Sequence, residues 1–151
     1  MSEGYNAFEF DLSEVERIIS YHFPDEKKKI LVEALTHSSR KGEGEPVNNR
    51  RLALLGDAVL YLTTTEMYYT DHPEATVEEL HNHREKKKNN IWLGEMKIAE
   101  ELSKFVIVGN SLMKMKPSIK MKATMIEAII GAIHLSNKEK AREFVIKLIS
   151  K

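Results

Sequence analysis

The stretch RRLALLGDAVLYLTTTEMYYT, residues 50–70, decides the fold that this chain is expected to adopt. Its apolar residues lie on nearly every side of a helical projection, and the stretch is too long for a single buried strand. It therefore predicts a buried central helix. Gly56 in its interior lowers helix stability by about 1 kcal/mol relative to alanine, which indicates that another helix passes close to this position.

Helical spacing dominates the rest of the chain as well. A second strongly apolar helix is predicted at 119–135, IKMKATMIEAIIGAIHL. Five shorter helices are predicted, from Leu12, after Pro24, over 77–90, from Trp92 and after Ser136, with loops at 40–49 and 111–118. The apolar run 105–108 is interpreted as a helix exit, because it has no evident partner strand. We expect an all-α fold of about seven helices, in one domain over 1–151 with its core at about 12–149.

Capping-box pairs, in which a serine or threonine lies three residues before a glutamate, mark three of the predicted helix starts. They are Ser13–Glu16, Thr76–Glu79 and Ser136–Glu139. The helix behind Thr76 is polar almost all round, which is typical of a helix that faces solvent or a charged partner.

The composition limits the classes of function. The 151 residues include 23 basic and 23 acidic side chains and no cysteine. Zero net charge argues against a dedicated non-specific nucleic-acid binder, and the lack of cysteine excludes disulfides and thiolate zinc sites. His81 and His83 point to different sides of a helix, which argues against a histidine metal site. The chain has neither an apolar run of about 20 residues nor a signal peptide, so we expect a cytoplasmic protein without a membrane partner.

Two carboxylates stand alone in the two most apolar predicted helices. Asp57 is the only acid across residues 50–65, and Glu127 is the only acid across 117–138. Burying an unpartnered carboxylate costs on the order of several kcal/mol. Either each acid pairs with a lysine or arginine or marks an exposed stripe, or the two helices meet and the acids share a divalent metal ion. The residues alone leave both alternatives open.

Three motifs in this chain resemble those of the ribonuclease III family. Residues 49–60, Asn-Arg-Arg-Leu-Ala-Leu-Leu-Gly-Asp-Ala-Val-Leu, resemble the family signature Asn-Glu-Arg-Leu-Glu-Phe-Leu-Gly-Asp-Ala/Ser-Val-Leu. Residues 34–39 are similar to its Ala-Leu-Thr-His-x-Ser, and residues 123–133 are similar to its Ala-Asp-x-x-Glu-Ala-x-Ile-Gly-Ala. The motifs occur in the family's order and at plausible distances.

The resemblance implies an endonuclease that processes double-stranded RNA. It implies a helical homodimer whose two sites line a valley for the duplex, with four carboxylates per site that bind Mg²⁺ or Mn²⁺ for phosphodiester hydrolysis. Asp57 matches the signature aspartate and Glu127 matches the final glutamate, so these two are the candidate catalytic and metal-binding residues. His37 and Ser38 also match, and we interpret them as packing or capping residues.

The acidic site that the resemblance implies is incomplete in this sequence. Ala53 stands where the family has a glutamate and Thr124 where it has an aspartate, so two of the four carboxylates are missing. Arg50 replaces a further signature glutamate and adds positive charge. Ala53 shares a helix face with Asp57, and Thr124 shares one with Glu127, so each pair keeps one acid. We therefore expect Mg²⁺ to bind this site more weakly than a site with all four carboxylates.

Contacts with RNA must come from local basic patches, because the net charge is zero. The candidates are Lys86, Lys87 and Lys88 on the polar helix, and Lys114, Lys116, Lys120 and Lys122 around the loop at 111–118. Lysine runs are more often solvated surface than phosphate contacts. The chain ends at Lys151, so we expect no double-stranded-RNA-binding domain after the helical one.

Three functions compete on this basis. The favoured one is a ribonuclease III-like domain that binds or processes double-stranded RNA, with cleavage impaired or absent because two carboxylates are missing. The first alternative is an active Mg²⁺-dependent endoribonuclease that uses Asp57 and Glu127. The second alternative is a helical, dimeric protein-interaction module.

Overall fold

The structure, a computed structural model, describes residues 11–40, 47–86 and 91–150. Over these residues it contains eight α-helices: α1 (Leu12–Ile19), α2 (Lys28–Leu35), α3 (Arg50–Asp71), α4 (Val77–Lys86), α5 (Ile91–Gly94), α6 (Lys97–Ser103), α7 (Ile119–Ser136) and α8 (Lys138–Ile149). The all-α prediction is confirmed. The predicted helix around Trp92 is divided into α5 and α6, which adds one helix. None of the helices in the described ranges has the length and apolar character that a bilayer crossing requires.

Helix α7 is the centre of the fold. Its residues 125–133 are all buried, and α2, α3, α5, α6 and α8 pack around it. The predicted helix at 50–70 is confirmed as α3, but the prediction that it is the buried central helix is wrong. One side of α3 packs against α7, while its Leu54 and Leu62 side chains are 76% and 62% exposed. The many apolar residues of α3 thus form two faces, of which one is covered by other described parts of this chain and the other is exposed.

Helices α3 and α7 touch backbone to backbone at two glycines. A Cβ atom on Gly56 would lie 1.6 Å from the backbone oxygen of Glu127, and one on Gly131 would lie 2.3 Å from the backbone oxygen of Leu52. Only a residue without a side chain lets the two backbones approach this closely. The close helix approach predicted from Gly56 is therefore confirmed, and it joins the two helices that carry the lone carboxylates.

The helix starts agree with the capping predictions in one case out of three. At α4 the Glu79 amide donates to Thr76 Oγ1 at 3.1 Å, and the Thr76 amide donates to Glu79 Oε1 at 2.9 Å. The pairs predicted for the first and last helices are wrong. There Asp11 caps α1 and Asn137 caps α8, because their short side chains reach the free amides of the first turn.

The apolar run 105–108 follows the end of α6, as the interpretation of a helix exit predicts. It also has a backbone partner that the sequence did not reveal. The Ile107 amide donates to the Leu35 carbonyl at 2.8 Å, and the His37 amide donates to the Ile107 carbonyl at 2.8 Å. The result is an isolated parallel bridge between Ile107 and Thr36, which fixes the segment after α2.

Candidate functional site

The first half of α7, the start of α3 and the segment after α2 enclose an open cleft of about 620 Å³. All five positions of the predicted acidic site line it: Arg50, Ala53, Asp57, Thr124 and Glu127. They converge because the glycine crossing holds α3 against α7 beside them. The structure therefore brings together the residues that the sequence assigned to one site.

The two remaining carboxylates lie at different depths in this cleft. Asp57 is exposed, whereas Glu127 is only 5% exposed. At the two other positions the cleft presents the methyl group of Ala53, 8% exposed, and the hydroxyl of half-buried Thr124. Within residues 11–40, 47–86 and 91–150, no three histidine, cysteine or acidic side chains are close enough to hold a metal ion together.

Two cations share the cleft with these carboxylates. Arg50 is the first residue of α3 and Lys120 is the second residue of α7, and both side chains are exposed. Neither the guanidinium nor the ammonium group forms a hydrogen bond or ion pair with another described residue. Both groups are therefore available to a ligand.

His37 also lines the cleft, held in one tautomer by a hydrogen-bond chain. The Gly109 amide donates to Ser39 Oγ at 2.9 Å, so the Ser39 hydroxyl is free to donate to His37 Nδ1, 2.8 Å away. The Ser39 amide donates to the same nitrogen at 3.0 Å. Partial burial, and secondarily the charge of Arg50, hold the pKa of His37 below its ordinary value. The neutral ring therefore carries its proton on Nε2.

The lysines predicted to contact RNA lie in different surroundings. Lys120 lines the cleft, whereas the Lys122 ammonium forms an ion pair with Glu100 at 2.8 Å. Lys86 is exposed at the end of α4, and 87–88 lie outside the described residues. Lys114 and Lys116 are exposed in the loop before α7, so Lys120 is the one lysine among the described candidates that lines the cleft.

The helical fold, the three motifs and the cleft that contains Asp57 and Glu127 together define the class of this protein, an all-α domain that resembles ribonuclease III. The family profile described as Ribonuclease-III-like matches residues 27–151, and the chain belongs to this family. The resemblance seen in the three motifs is thereby confirmed.

Several proteins that are similar to this chain in sequence or structure are ribonucleases of the same family. Ribonuclease 3 of a Nitratiruptor species is 38% identical over 143 residues, which are 91% of this chain and 60% of that protein. Endoribonuclease Dicer homolog 2b of Oryza sativa subsp. japonica is 30% identical over 85% of this chain and 11% of its own length. The solved nuclease domain of ribonuclease III from Campylobacter jejuni has a TM-score of 0.81 at 32% identity, covering 92% of this chain and 96% of that one. The chain thus spans 60% and 61% of the length of two of its ribonuclease 3 relatives.

Proposed function

We propose that this chain is a ribonuclease III-like domain that binds and helps to process double-stranded RNA, with cleavage impaired or absent. Family membership and the similarity to ribonuclease 3 proteins support RNA as the substrate class. The observation that carries the proposal is the content of the cleft, which keeps Asp57 and Glu127 but presents Ala53 and Thr124 at the two other acid positions.

The donor groups of the cleft do not fit a resident Mg²⁺ ion. Mg²⁺ takes oxygen ligands and needs near-octahedral geometry. Ala53 supplies no oxygen, and Thr124 supplies only a neutral hydroxyl. Arg50 and Lys120 add two positive charges that oppose a bound cation. We therefore expect any Mg²⁺ or Mn²⁺ binding here to be weak, and the rate of phosphodiester hydrolysis to be low for that reason.

The active Mg²⁺-dependent endoribonuclease stays as a second candidate because of one observation. Asp57 and Glu127, its candidate catalytic and metal-binding residues, line the same cleft. Proteins hold Mg²⁺ with as few as one or two carboxylates when substrate phosphates complete the coordination. This candidate therefore requires RNA to be present for tight metal binding.

A homodimer is the assembly that we propose. Leu54, Leu62 and Tyr69 are exposed on α3 at spacings of eight and seven residues, so they share one face of the helix. An exposed apolar face of this kind is typical of a protein interface. The similar nuclease domain from Campylobacter jejuni is described as flexible in a region involved in dimer formation. The same face supports the third candidate, an interaction module.

The test is incubation of the protein with long duplex RNA and Mg²⁺ or Mn²⁺, with binding measured by gel shift and cleavage by denaturing gel. An Asp57→Asn, Glu127→Gln variant is assayed beside it. A Glu74→Ala, Glu139→Ala variant is the matched control, because it removes two negative charges at exposed positions away from the cleft. Sedimentation equilibrium gives the oligomeric state of each protein.

We expect wild-type protein to bind duplex RNA as a dimer without efficient cleavage. Cleavage that is lost in the Asp57→Asn, Glu127→Gln variant, but kept in the control, would establish the active endoribonuclease instead. A dimer that binds no RNA would leave only the interaction module. A monomer at all protein concentrations would contradict the proposed assembly.

A further inference from the structure

The cleft carries positive as well as negative side chains, whereas a site that binds metal cations carries mainly negative ones. Its formally charged residues are two cations, Arg50 and Lys120, and two carboxylates, Asp57 and Glu127, so their charges cancel. The family signature that this chain resembles has acids at positions 50, 53 and 124, where this chain has arginine, alanine and threonine. A cleft without net negative charge no longer concentrates divalent cations by electrostatic attraction.

The two cations of this cleft form no ion pair with a described residue, whereas several lysines elsewhere in the structure do. Lys122 is held by Glu100 at 2.8 Å, and Lys28 is held by Glu16 at 3.0 Å. Arg50 and Lys120 make no such contact with any residue in the described ranges. Their donors are therefore free, in a concave surface, to contact an anion.

The chemistry of these donors favours a phosphate. Guanidinium groups bind phosphate oxygens through two parallel hydrogen bonds, and an ammonium group binds them as a point charge. The Nε2–H of His37, in the same cleft, makes no hydrogen bond with another described residue and adds a neutral donor. A sugar–phosphate backbone presents one such anion per nucleotide, so separate donors in one cleft can take successive phosphates.

We infer that this cleft binds the phosphate backbone of duplex RNA directly through Arg50 and Lys120, with no metal ion between protein and RNA. The inference rests on the proposed RNA-binding function. Positive side chains here replace the charge that a bound cation supplies in a fully acidic site.

The experiment measures fluorescence anisotropy of a labelled RNA duplex titrated with protein, in EDTA and in Mg²⁺ at matched ionic strength. Wild-type protein is expected to bind with the same Kd in both. An Arg50→Ala, Lys120→Ala variant is expected to lose about two units of slope in a plot of log Kd against log salt concentration, because each lost phosphate contact removes about one. Its affinity at low salt should fall by about tenfold or more.

The control is a Lys138→Ala, Lys147→Ala variant, which removes the same charge from exposed positions on α8. Its salt slope should equal that of the wild type. An Arg50→Glu, Ala53→Glu, Thr124→Asp variant restores acids to the cleft and should bind RNA only when Mg²⁺ is present. Thermal unfolding of each variant shows that it is folded.

The outcomes separate the inference from the function on which it rests. Wild-type binding that requires Mg²⁺, or an Arg50→Ala, Lys120→Ala variant with the control's salt slope, would overturn direct phosphate binding but leave RNA binding intact. Wild-type protein that binds no duplex under either condition would overturn the proposed function itself.

Discussion

Replacement of Gly56 by alanine tests the crossing of α3 and α7 directly. The new Cβ would lie 1.6 Å from the backbone oxygen of Glu127, 2.7 Å from its carbonyl carbon and 2.9 Å from the Gly131 amide nitrogen. Ordinary contacts of a Cβ atom begin at 3.4 Å. The difference between 1.6 and 3.4 Å requires a displacement of about 1.8 Å. All three atoms belong to the backbone, so no side-chain rotation can relieve the clash, and the helices must separate.

Two opposing terms set the size of the effect. Alanine gains about 1 kcal/mol of helix propensity over glycine. Overpacking of a core costs about 1–3 kcal/mol and occasionally more, and a clash with backbone atoms belongs at or beyond the upper end of that range. We therefore expect a net loss of about 2 kcal/mol or more, which in a domain of this size lowers Tm by about 4–8 °C or more.

Thermal unfolding followed by circular dichroism provides the measurement, with two variants for comparison. In Gly131→Ala the new Cβ lies 2.3 Å from the Leu52 oxygen, so a smaller displacement suffices and the loss of Tm should be smaller. Asn82→Ala, at an exposed position in α4, gains helix propensity without a close neighbour and should keep or slightly raise Tm. A Gly56→Ala protein with the wild-type Tm, or one more stable than Gly131→Ala, would refute the crossing geometry.

Two further predictions concern groups outside this crossing. Glu16 is buried, accepts a hydrogen bond from the Phe23 amide at 2.6 Å and lies 3.0 Å from the Lys28 ammonium. The Glu16→Gln variant should have a free energy of unfolding lower by about 1–3 kcal/mol, measured by urea titration. Unchanged stability would show that this carboxylate does not stabilise the fold. The pKa of His37 is held below its ordinary 6.5, so below that pH the unfolded chain binds more protons than the folded one. The contribution of His37 to stability is therefore complete above pH 6.5 and is lost as the pH falls toward the lower folded-state pKa. Between about pH 7.5 and about pH 5, the Tm of a His37→Gln variant should fall by less than the Tm of the wild type. Equal decreases in Tm would contradict this.

The features that could be predicted from the sequence are those that local spacing encodes. The length and high apolar content of 50–70 and 119–135 predict α3 and α7, because apolar runs of this length are too long for a single buried strand. Gly56 predicts a close backbone contact, because a glycine in a helix interior is unfavourable without one. Only the family resemblance of the three motifs, added to these features, predicts that Asp57 and Glu127 share one site.

Other features depend on contacts between distant parts of the chain and could not be predicted. The spacing of Glu16 from Ser13 fits a capping box, yet the carboxylate turns inward to the Phe23 amide and Lys28. The tautomer of His37 depends on Gly109, which is 70 residues from Ser39 in the sequence. The exposed face of α3 escaped prediction for a related reason: periodicity identifies an apolar surface but not whether this chain or another covers it.

The crossing of α3 and α7 explains how the charge of the cleft can change while its shape stays the same. The closest contacts there join backbone atoms of Leu52, Gly56, Glu127 and Gly131. Ala53 and Thr124 line the cleft beside this crossing. We therefore expect a change from acid to alanine or threonine at these positions to alter the electrostatics of the cleft and to leave the glycine crossing in place. Since charge stabilisation in phosphodiester hydrolysis depends on those electrostatics, family membership establishes the geometry of this site without establishing its reaction.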